Sequence, residues 1–473
     1  MKNETNITMD MDKKTMMENL AREAHEKGAF NGAWLYAEGG EIISKGAFGW
    51  RDAEDKLPMR EDSIFDLASV SKQFTAAAIM LLVQNGQVRL EDEITKYFPK
   101  LPFPGITVRH LLTHTGGEPD PSDQNFYVKT WEQEKRIPDN RDMLRWLMES
   151  GTPPYFAPGE ECNYSNTGFS LLALIVEQVS GLPFEDFLQK NLFAPAGMAS
   201  TGVHHIRVNG IPSDNFVRNM VIEHDRFVLP EESEHERDVI ATDGTNGDGF
   251  VYSTVLDLFK WDRTLRAGTL ITPASQQLMY TPARLNNGAI AYDDEAANSA
   301  CGFGWMIQSA PSLGLVVNHS GWHKGATSWY ERWIDADRML VILWSRDAED
   351  DTAYDAFKEG MRAIAMDKEP EPIRSTEDLT EKNPDRSRWE SFCGKYAHPG
   401  NDVFYPDEVY LQDGELYVKF IQAVRGELVA RLYPLGNQNF AMKHFCFQVH
   451  LDDGTLTLSF SETEKDVYQK LSD

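Results

Sequence analysis

Hydrophobic periodicity at the start of the chain predicts one helix followed by a β-hairpin. Apolar residues recur three or four positions apart within 15–27, which is the spacing of a helix with one buried face. Two apolar runs follow, at 33–37 and 42–50, and the pair Gly39-Gly40 separates them. A glycine-rich turn between two such runs is typical of paired antiparallel strands.

The pattern then becomes mainly helical before it returns to strands. Between residues 52 and 300, Pro- and Gly-rich loops separate apolar helical stretches, the clearest of which are 69–85, 107–113 and 167–179. The elements predicted after them are strands at 313–322, 327–334 and 339–344 and a helix at 352–365. This order predicts an α+β domain over residues 1–366, in which helices flank an antiparallel sheet beside a helical subdomain.

The last part of the chain has a different composition. Residues 367–388 carry three prolines, many charges and no aromatic residue, which predicts a solvated linker. Beyond it, in 389–473, short apolar runs flank the turns Asp413-Gly414 and Asp453-Gly454. Repeated strands around Asp-Gly turns predict a small antiparallel β-barrel domain.

Length, charge and cysteine content narrow the class of protein. The 473 residues suffice for two or three domains, and a net charge of -28 argues against nucleic acid or an anionic membrane as a partner. The N-terminus has no apolar signal-peptide region and no later stretch has the roughly 18 apolar residues of a membrane span, so we expect a cytoplasmic protein. The four cysteines lie far apart in sequence and form no C-x-x-C pair, and we expect reduced, partly buried thiols.

The first candidate for chemistry is Ser69-x-x-Lys72, at the predicted start of a helix. Residues three apart share a helical face, so the amine of Lys72 can approach the hydroxyl of Ser69. A serine hydroxyl is a poor nucleophile until a base removes its proton, and a desolvated lysine can act as that base. The pattern alone is weak, because roughly one match is expected by chance in a chain of this composition. Its structural alternative is a capping serine followed by an exposed lysine.

Two further elements strengthen the catalytic interpretation. Tyr164-Ser165-Asn166 directly precedes an apolar helix, and His319-Ser320-Gly321 follows an apolar strand. Taken singly, the first could be a helix-capping loop and the second carries little information. Gly321 would let a substrate lie close to the edge of the strand. All three elements in this order are much less expected by accident.

Together these elements resemble the Ser-x-x-Lys, Tyr-x-Asn and Lys/His-Thr/Ser-Gly motifs of the β-lactamase and penicillin-binding superfamily. The resemblance is strongest to the class C-like branch, which includes DD-peptidases, D-aminopeptidases and family VIII esterases. It covers most of residues 20–366, with further matching stretches at 106–117, 164–181, 191–201, 247–262 and 302–305. The C-terminal part resembles, more weakly, the lipocalin-like barrel that some members carry.

The resemblance implies a role for each motif residue. Ser69 would attack a carbonyl and form an acyl-enzyme, Lys72 would act as base, and Tyr164 would protonate the leaving group and later activate water. Which of Lys72 and Tyr164 takes the first proton is left open. His319 would tune proton exchange by Tyr164. The substrate-binding residues implied are Asn166, Ser320, Gly321 and Trp322, with the backbone amides of Ser69 and Trp322 forming the oxyanion hole.

Position 319 also bears on the substrate. Many β-lactamases have lysine there, a permanent cation that helps to bind the substrate carboxylate, whereas histidine is only partly charged near neutral pH. We therefore expect a serine hydrolase acting on a small ester or a peptide with a D-residue, and at most feeble penicillin hydrolysis. The alternatives are a β-lactamase or DD-carboxypeptidase, and a non-catalytic binding or scaffold protein. No metal or organic cofactor is expected, and a homo-oligomer is left open.

Two other patterns favour structural interpretations. His110 and His114 have H-x-x-x-H spacing, but Leu111 occupies the place of the glutamate of a zinc-protease motif. The loop 243–249 looks like a calcium site, yet Gly247 replaces a needed oxygen ligand. By the family resemblance this loop lies near the active site.

Overall fold

An eight-stranded antiparallel sheet is the centre of the N-terminal part of this computed structural model. The structure describes residues 12–52, 56–223, 226–233, 236–294, 298–397, 404–422, 426–443, 445–459 and 465–471. From one edge to the other the strands are Tyr292–Asp294, Ser299–Cys301, Met306–Ala310, Gly314–His323, Ala326–Trp333, Arg338–Trp344, Gly32–Glu38 and Glu41–Phe48. The five strands predicted from the sequence are all present, and the three short strands at the first edge were missed.

Helices cover both faces of this sheet, and the alternation of side chains shows why. In Gly32–Glu38, Ala33 and Leu35 join the large core on one side, whereas Trp34 and Tyr36 join a second core on the other. The second core is closed by the helices Lys13–Glu26 and Asp351–Ala365. A strand with both faces buried reads as a continuous apolar run, which is how this strand appears in the sequence.

The helical region packs on the other face of the sheet. Two of its long, largely buried helices, Lys72–Gln84 and Asn166–Ser180, contact each other, and the strand residue Leu35 joins the same core. The other α-helices are Val108–Leu112, Phe126–Glu134, Asn140–Glu149, Phe184–Leu188, Ile206–Asn209, Val239–Thr242, Val255–Ala267 and Pro273–Met279.

Shorter elements complete this region. Single turns of 3₁₀ helix lie at Ala68–Ser71, Ile94–Lys96, Pro121–Gln124 and Pro230–Glu232, and a π-helical turn lies at Gln189–Phe193. Short strands lie at Trp50–Asp52, Leu57–Pro58, Phe65–Asp66, Gly202–Val203, Val221–Glu223, Arg226–Val228 and Val251–Ser253. Within the described residues, no single helix has the length and apolar composition to cross a membrane. The consecutive segments Asn166–Ser180 and Phe184–Phe193 have that length and composition only when taken together, and they are bent by 75° relative to each other.

A second sheet of nine antiparallel strands forms the barrel-like C-terminal part, as predicted. Its order is Gly426–Arg431, Glu415–Gln422, Phe404–Gln412, Gly394–Ala397, Lys465–Lys470, Thr455–Ser459, Phe445–Asp452, Asn439–Met442 and Tyr433–Gly436. Alternate residues such as Leu416, Val418 and Phe420 point into its own apolar core, which the short helix Trp389–Phe392 also joins. The Asp-Gly turns lie where the sequence predicts them.

The segment between the two sheets is more ordered than a solvated linker. Ile373 is buried in the core beneath the helix Asp351–Ala365, and a short helix, Thr376–Leu379, follows it. The backbone N–H of Thr376 donates to the carboxylate of Asp350 at 2.8 Å. A single apolar residue among charged neighbours has no periodic pattern, which explains why the sequence analysis did not find this anchor.

Candidate active site

Ser69 lies in a tight turn between the strand Phe65–Asp66 and the helix Lys72–Gln84. The residue before it, Ala68, has a φ of 44°, in the left-handed region that costs energy for a residue with a Cβ atom. The carboxylate of Asp66 accepts the backbone N–H of Ala68 at 2.8 Å and so supports this turn. The predicted helix is therefore present, but its first turn is 3₁₀ and holds Ser69 partly exposed at its start.

Lys72 is fully buried, and three acceptors surround its Nζ atom. The distances are 3.1 Å to Ser69 Oγ, 2.7 Å to Asn166 Oδ1 and 2.7 Å to the backbone oxygen of Asp248. Burial lowers the pKa of Lys72 to about 8, against the opposing charges of Asp248 and Asp120. An uncharged lysine can still donate to the amide and the carbonyl while its lone pair accepts the proton of Ser69.

Tyr164 packs directly over the lysine. Lys72 Nζ lies 4.8 Å from the centre of the Tyr164 ring. Burial raises the pKa of Tyr164 well above its ordinary value, and the hydroxyl of Ser69 offsets part of that rise. Among the described residues, no hydrogen bond of acceptable geometry satisfies the buried phenol oxygen. The phenol is therefore protonated at neutral pH and lies beside Ser69.

His319 comes from the strand Gly314–His323 and completes the cluster. Its ring centre lies 6.1 Å from that of Tyr164. Burial lowers the pKa of His319 to about 4, and the charge of Lys72 adds to this effect. Burial therefore favours the neutral imidazole over the partly charged form that the sequence led us to expect. Nδ1 lies 2.5 Å from the carbonyl oxygen of Ser320 and must carry the proton, which leaves Nε2 as an acceptor.

Gly321 brings the same strand against the turn that holds Ser69. A Cβ atom at this position would lie 3.0 Å from the backbone nitrogen of Ser69 and 2.4 Å from the carbonyl oxygen of Leu67. Any larger residue would push the strand away from the nucleophile. Ser320 and Trp322 alternate with Gly321 and point outward, and Trp322 is 60% exposed beside the cavity.

The three sequence motifs thus converge, as their order predicts. Ser69, Lys72, Tyr164, Asn166 and His319 form one continuous cluster of contacts. Trp322 lines the cavity above it. The arrangement brings together a serine hydroxyl, an amine of lowered pKa, a phenol and an imidazole, which are the groups that acyl transfer by a serine requires.

Two residues that support Tyr164 were not assigned to the site from the sequence. The ring of His114 stacks on that of Tyr164 at 4.5 Å, and its Nδ1 accepts the backbone N–H of Ser165 at 3.0 Å. The buried carboxyl of Glu118 accepts the hydroxyl of Ser165 at 2.6 Å. Ser165 in turn caps the helix that carries Asn166. His114 was assigned a structural role, and that role proves to be holding the Tyr164 loop.

The other sequence candidates are accounted for by local bonds. His110 Nδ1 accepts the backbone N–H of Thr107 in a helix-capping box. In the loop 243–249, Asp243 pairs with Arg207, and Asp248 presents its carbonyl to Lys72. This loop does lie at the active site. Among the residues that the structure describes, no group of three or more His, Cys, Asp or Glu could hold a metal ion.

The cavity above Ser69 has a volume of about 230 Å³ and an acidic lining. Three carboxylates contribute to it: Asp66, Asp120 and Asp248. Asp66 is paired with His323 Nδ1 at 2.9 Å, and burial raises the pKa of Asp120. The described residues that line this cavity include no lysine and no arginine.

Comparison with known proteins agrees with this geometry. Residues 17–360 match the Beta-lactamase family. The chain belongs to the β-lactamase family. Penicillin-binding protein 4* of Bacillus subtilis (strain 168) is 33% identical over 450 residues, 94% of this chain and 95% of that protein.

Solved structures share the β-lactamase fold. The octameric penicillin-binding protein homologue from Pyrococcus abyssi has a TM-score of 0.63 at 20% identity and covers 97% of this chain and 100% of its own. The D-amino acid amidase from Ochrobactrum anthropi SV3, complexed with D-phenylalanine, has a TM-score of 0.60 at 24% identity and covers 75% of this chain and 97% of its own. This protein is thus a β-lactamase-family hydrolase related to penicillin-binding proteins.

Glu118 generates a prediction about stability, because burial raises its pKa from 4.5 to about 7. The protonated carboxyl of Glu118 contributes on the order of 3 kcal/mol to the free energy of unfolding. This contribution is complete below about pH 4.5 and is lost as the pH rises through about 7. Glu118→Gln keeps the acceptor for Ser165 and does not titrate. Wild type should therefore lose stability between about pH 5 and about pH 8, and the variant should not. The thermal midpoint of Glu118→Gln minus that of wild type should increase by several degrees over this range.

The matched control is Glu161→Gln, which changes an exposed carboxylate in the same loop region. Its thermal midpoint should follow that of wild type at both pH values. A parallel pH dependence of wild type and Glu118→Gln would contradict the assignment.

Proposed function

We propose that the chain is a serine hydrolase that forms an acyl-enzyme on Ser69. The observation that carries the proposal is the contact of 3.1 Å between Ser69 Oγ and a buried amine whose pKa is lowered to about 8. A pKa near the working pH gives a general base an accessible unprotonated form and enough basicity to remove a proton.

Lys72 is the better candidate for the first base. Burial lowers the pKa of Lys72 and raises that of Tyr164, so the amine loses its proton at a lower pH than the phenol. In acylation, the proton of Ser69 passes to Lys72 Nζ while Oγ forms a bond to the substrate carbonyl carbon. The backbone amides of Ser69 and Trp322 would stabilise the oxyanion, each by roughly 3 kcal/mol.

Tyr164 then serves the leaving group. Its protonated phenol can donate to the departing nitrogen or oxygen and recover a proton from Lys72. The neutral His319 is a positioning residue in this scheme. Its Nε2 is an acceptor that is buried in the same cluster as the Tyr164 phenol. Water activated by the same groups would release the acyl product and regenerate Ser69.

The acidic cavity favours a substrate with a free amine. Asp120 and Asp248 line the space above the nucleophile. Their negative charges would attract the ammonium group of a substrate and repel a substrate carboxylate. A short peptide or amide with an amino-terminal D-residue fits this requirement, and a small neutral ester is tolerated. The D-amino acid amidase fold noted above is consistent with this substrate class.

A penicillin-recognising activity is the second candidate. It is favoured by the relative named Penicillin-binding protein 4*, which is 33% identical over nearly the whole chain. The cavity argues against efficient turnover, because penicillins and DD-peptides carry a carboxylate and position 319 supplies no cation. A non-catalytic scaffold is the third, and the intact contact between Ser69 and Lys72 speaks against it.

The nucleophile can be tested by covalent labelling. A fluorescent fluorophosphonate and a fluorescent penicillin should label wild type on one serine, because each probe traps an activated hydroxyl. Ser69→Ala should lose labelling by at least the order of a hundredfold. Ser122 also lines the cavity, so Ser122→Ala is the matched control and should label normally. Equal labelling of wild type and Ser69→Ala would move the chemistry to another residue.

The substrate class can be tested with a D-amino acid amide and its N-acetyl derivative. Asp120→Asn keeps the cap on Ser122 but removes the charge. It should lower kcat/KM for the free amine by about tenfold and leave the acetylated substrate unchanged. Asp123→Asn alters an exposed neighbour outside the cavity and serves as the control. An equal loss for both substrates would refute recognition of the amine.

A further inference from the structure

Two of the four cysteines meet beside the active site, although the sequence separates them by 139 residues. The Sγ atoms of Cys162 and Cys301 lie 2.8 Å apart. That distance is shorter than the about 3.5–4.0 Å of ordinary non-bonded contacts between carbon atoms, and a covalent S–S bond needs about 2 Å. The sequence analysis expected reduced, partly buried thiols, and in the structure Cys162 and Cys301 are free thiols, one half-buried and one buried, in contact with each other.

We propose that Cys162 and Cys301 form a disulfide that ties the loop before Tyr164 to the second strand of the main sheet. Cys162 stands two residues before Tyr164, and Cys301 ends the strand Ser299–Cys301. Both cysteines and Tyr164 share one small apolar cluster with Met306. The inference depends on this geometry and does not require the proposed function.

The backbone around each sulfur is already fixed in the thiol state. Asn163 N donates to the carbonyl oxygen of His114 at 2.9 Å, directly after Cys162. The backbone N–H of Cys301 donates to the carbonyl oxygen of Ala291, and its carbonyl oxygen accepts the N–H of Ala283, both at 2.8 Å. Closing the bond needs the two sulfur atoms to move from 2.8 Å apart to about 2 Å, between segments that backbone hydrogen bonds already hold in place.

The competing use of two close thiols is metal binding. Such a site needs further ligands, and among the described residues no group of three or more His, Cys, Asp or Glu is placed to hold a metal. Cys393 lies in the C-terminal part, where its Sγ donates to the carbonyl oxygen of Trp389 at 3.4 Å. The pair is thus suited to oxidation.

The oxidation consumes one small disulfide and balances as thiol–disulfide exchange. The sulfur of Cys162, which is the more exposed of the two, attacks a sulfur of the small disulfide and releases one small thiol. Cys301 then gives up its proton, attacks the mixed disulfide at Cys162 and releases the second small thiol.

The bond would act as a brace rather than a switch. It closes a loop of 139 residues, and such a closure restricts the unfolded chain more than the folded one. Because the two sulfurs already touch, Tyr164 keeps its place and turnover should be similar in the reduced and oxidised enzyme. The expected effect is a rise of the thermal midpoint on the order of 5 °C on oxidation.

Peptide mapping tests the bond directly. The full chain is incubated with oxidised glutathione, its remaining thiols are alkylated, and the digest is analysed without reduction. A cross-linked peptide pair containing Cys162 and Cys301 is expected in wild type and in Cys393→Ser, and its absence is expected in Cys162→Ser. The rise in thermal midpoint should follow the same pattern across the three proteins.

Two results would overturn the proposal. One is a stable glutathione adduct on Cys162 without the cross-linked pair, which would show that Cys301 does not attack. The other is a cross-link that forms without any change in the thermal midpoint, which would remove the bracing role. Neither result depends on whether Ser69 is the nucleophile, so a failure here leaves the proposed function standing.

Discussion

The burial of one amine beside one hydroxyl is the constraint on which the rest of the site depends. Lys72 lies beneath Ser69 with no access to water, and its three neighbouring acceptors are the hydroxyl, the amide of Asn166 and the carbonyl of Asp248. Taking an ammonium out of water favours its neutral form, which these acceptors only partly oppose. A lysine is thereby made a base at a pH where an exposed lysine is almost wholly charged.

Loops from distant parts of the chain pack closely around the helix that carries Lys72. The loop at Gly304 has a φ of 69° and approaches so closely that a Cβ atom would lie 2.7 Å from the backbone oxygen of Lys72. Gly247, with a φ of 94°, similarly brings the Asp248 loop against the backbone of Phe169. Only glycine allows both the left-handed backbone and the close approach at these positions. The two loops thus pack against the helices that carry Lys72 and Asn166.

Much of the fold and of the site could be predicted from the sequence, because helices and strands leave regular patterns of apolar residues. Strands with one period and helices with another were located within a few residues, and Ser69, Lys72, Tyr164 and His319 were grouped by motif. The missing parts have no local pattern. The acceptor from Asp248 is a backbone oxygen, the neutral state of His319 is a result of burial, and the support from Glu118 depends on a contact across the fold.

The central claim is that Lys72 removes the proton of Ser69, and the rate of acylation as a function of pH tests it most directly. Single-turnover acylation by a chromogenic ester separates this step from deacylation. Since the pKa of Lys72 is lowered to about 8, the acylation rate should rise with pH and reach half its maximum near pH 8. A rate that falls as the pH rises through about 8 would show that the charged amine is required and would contradict the account.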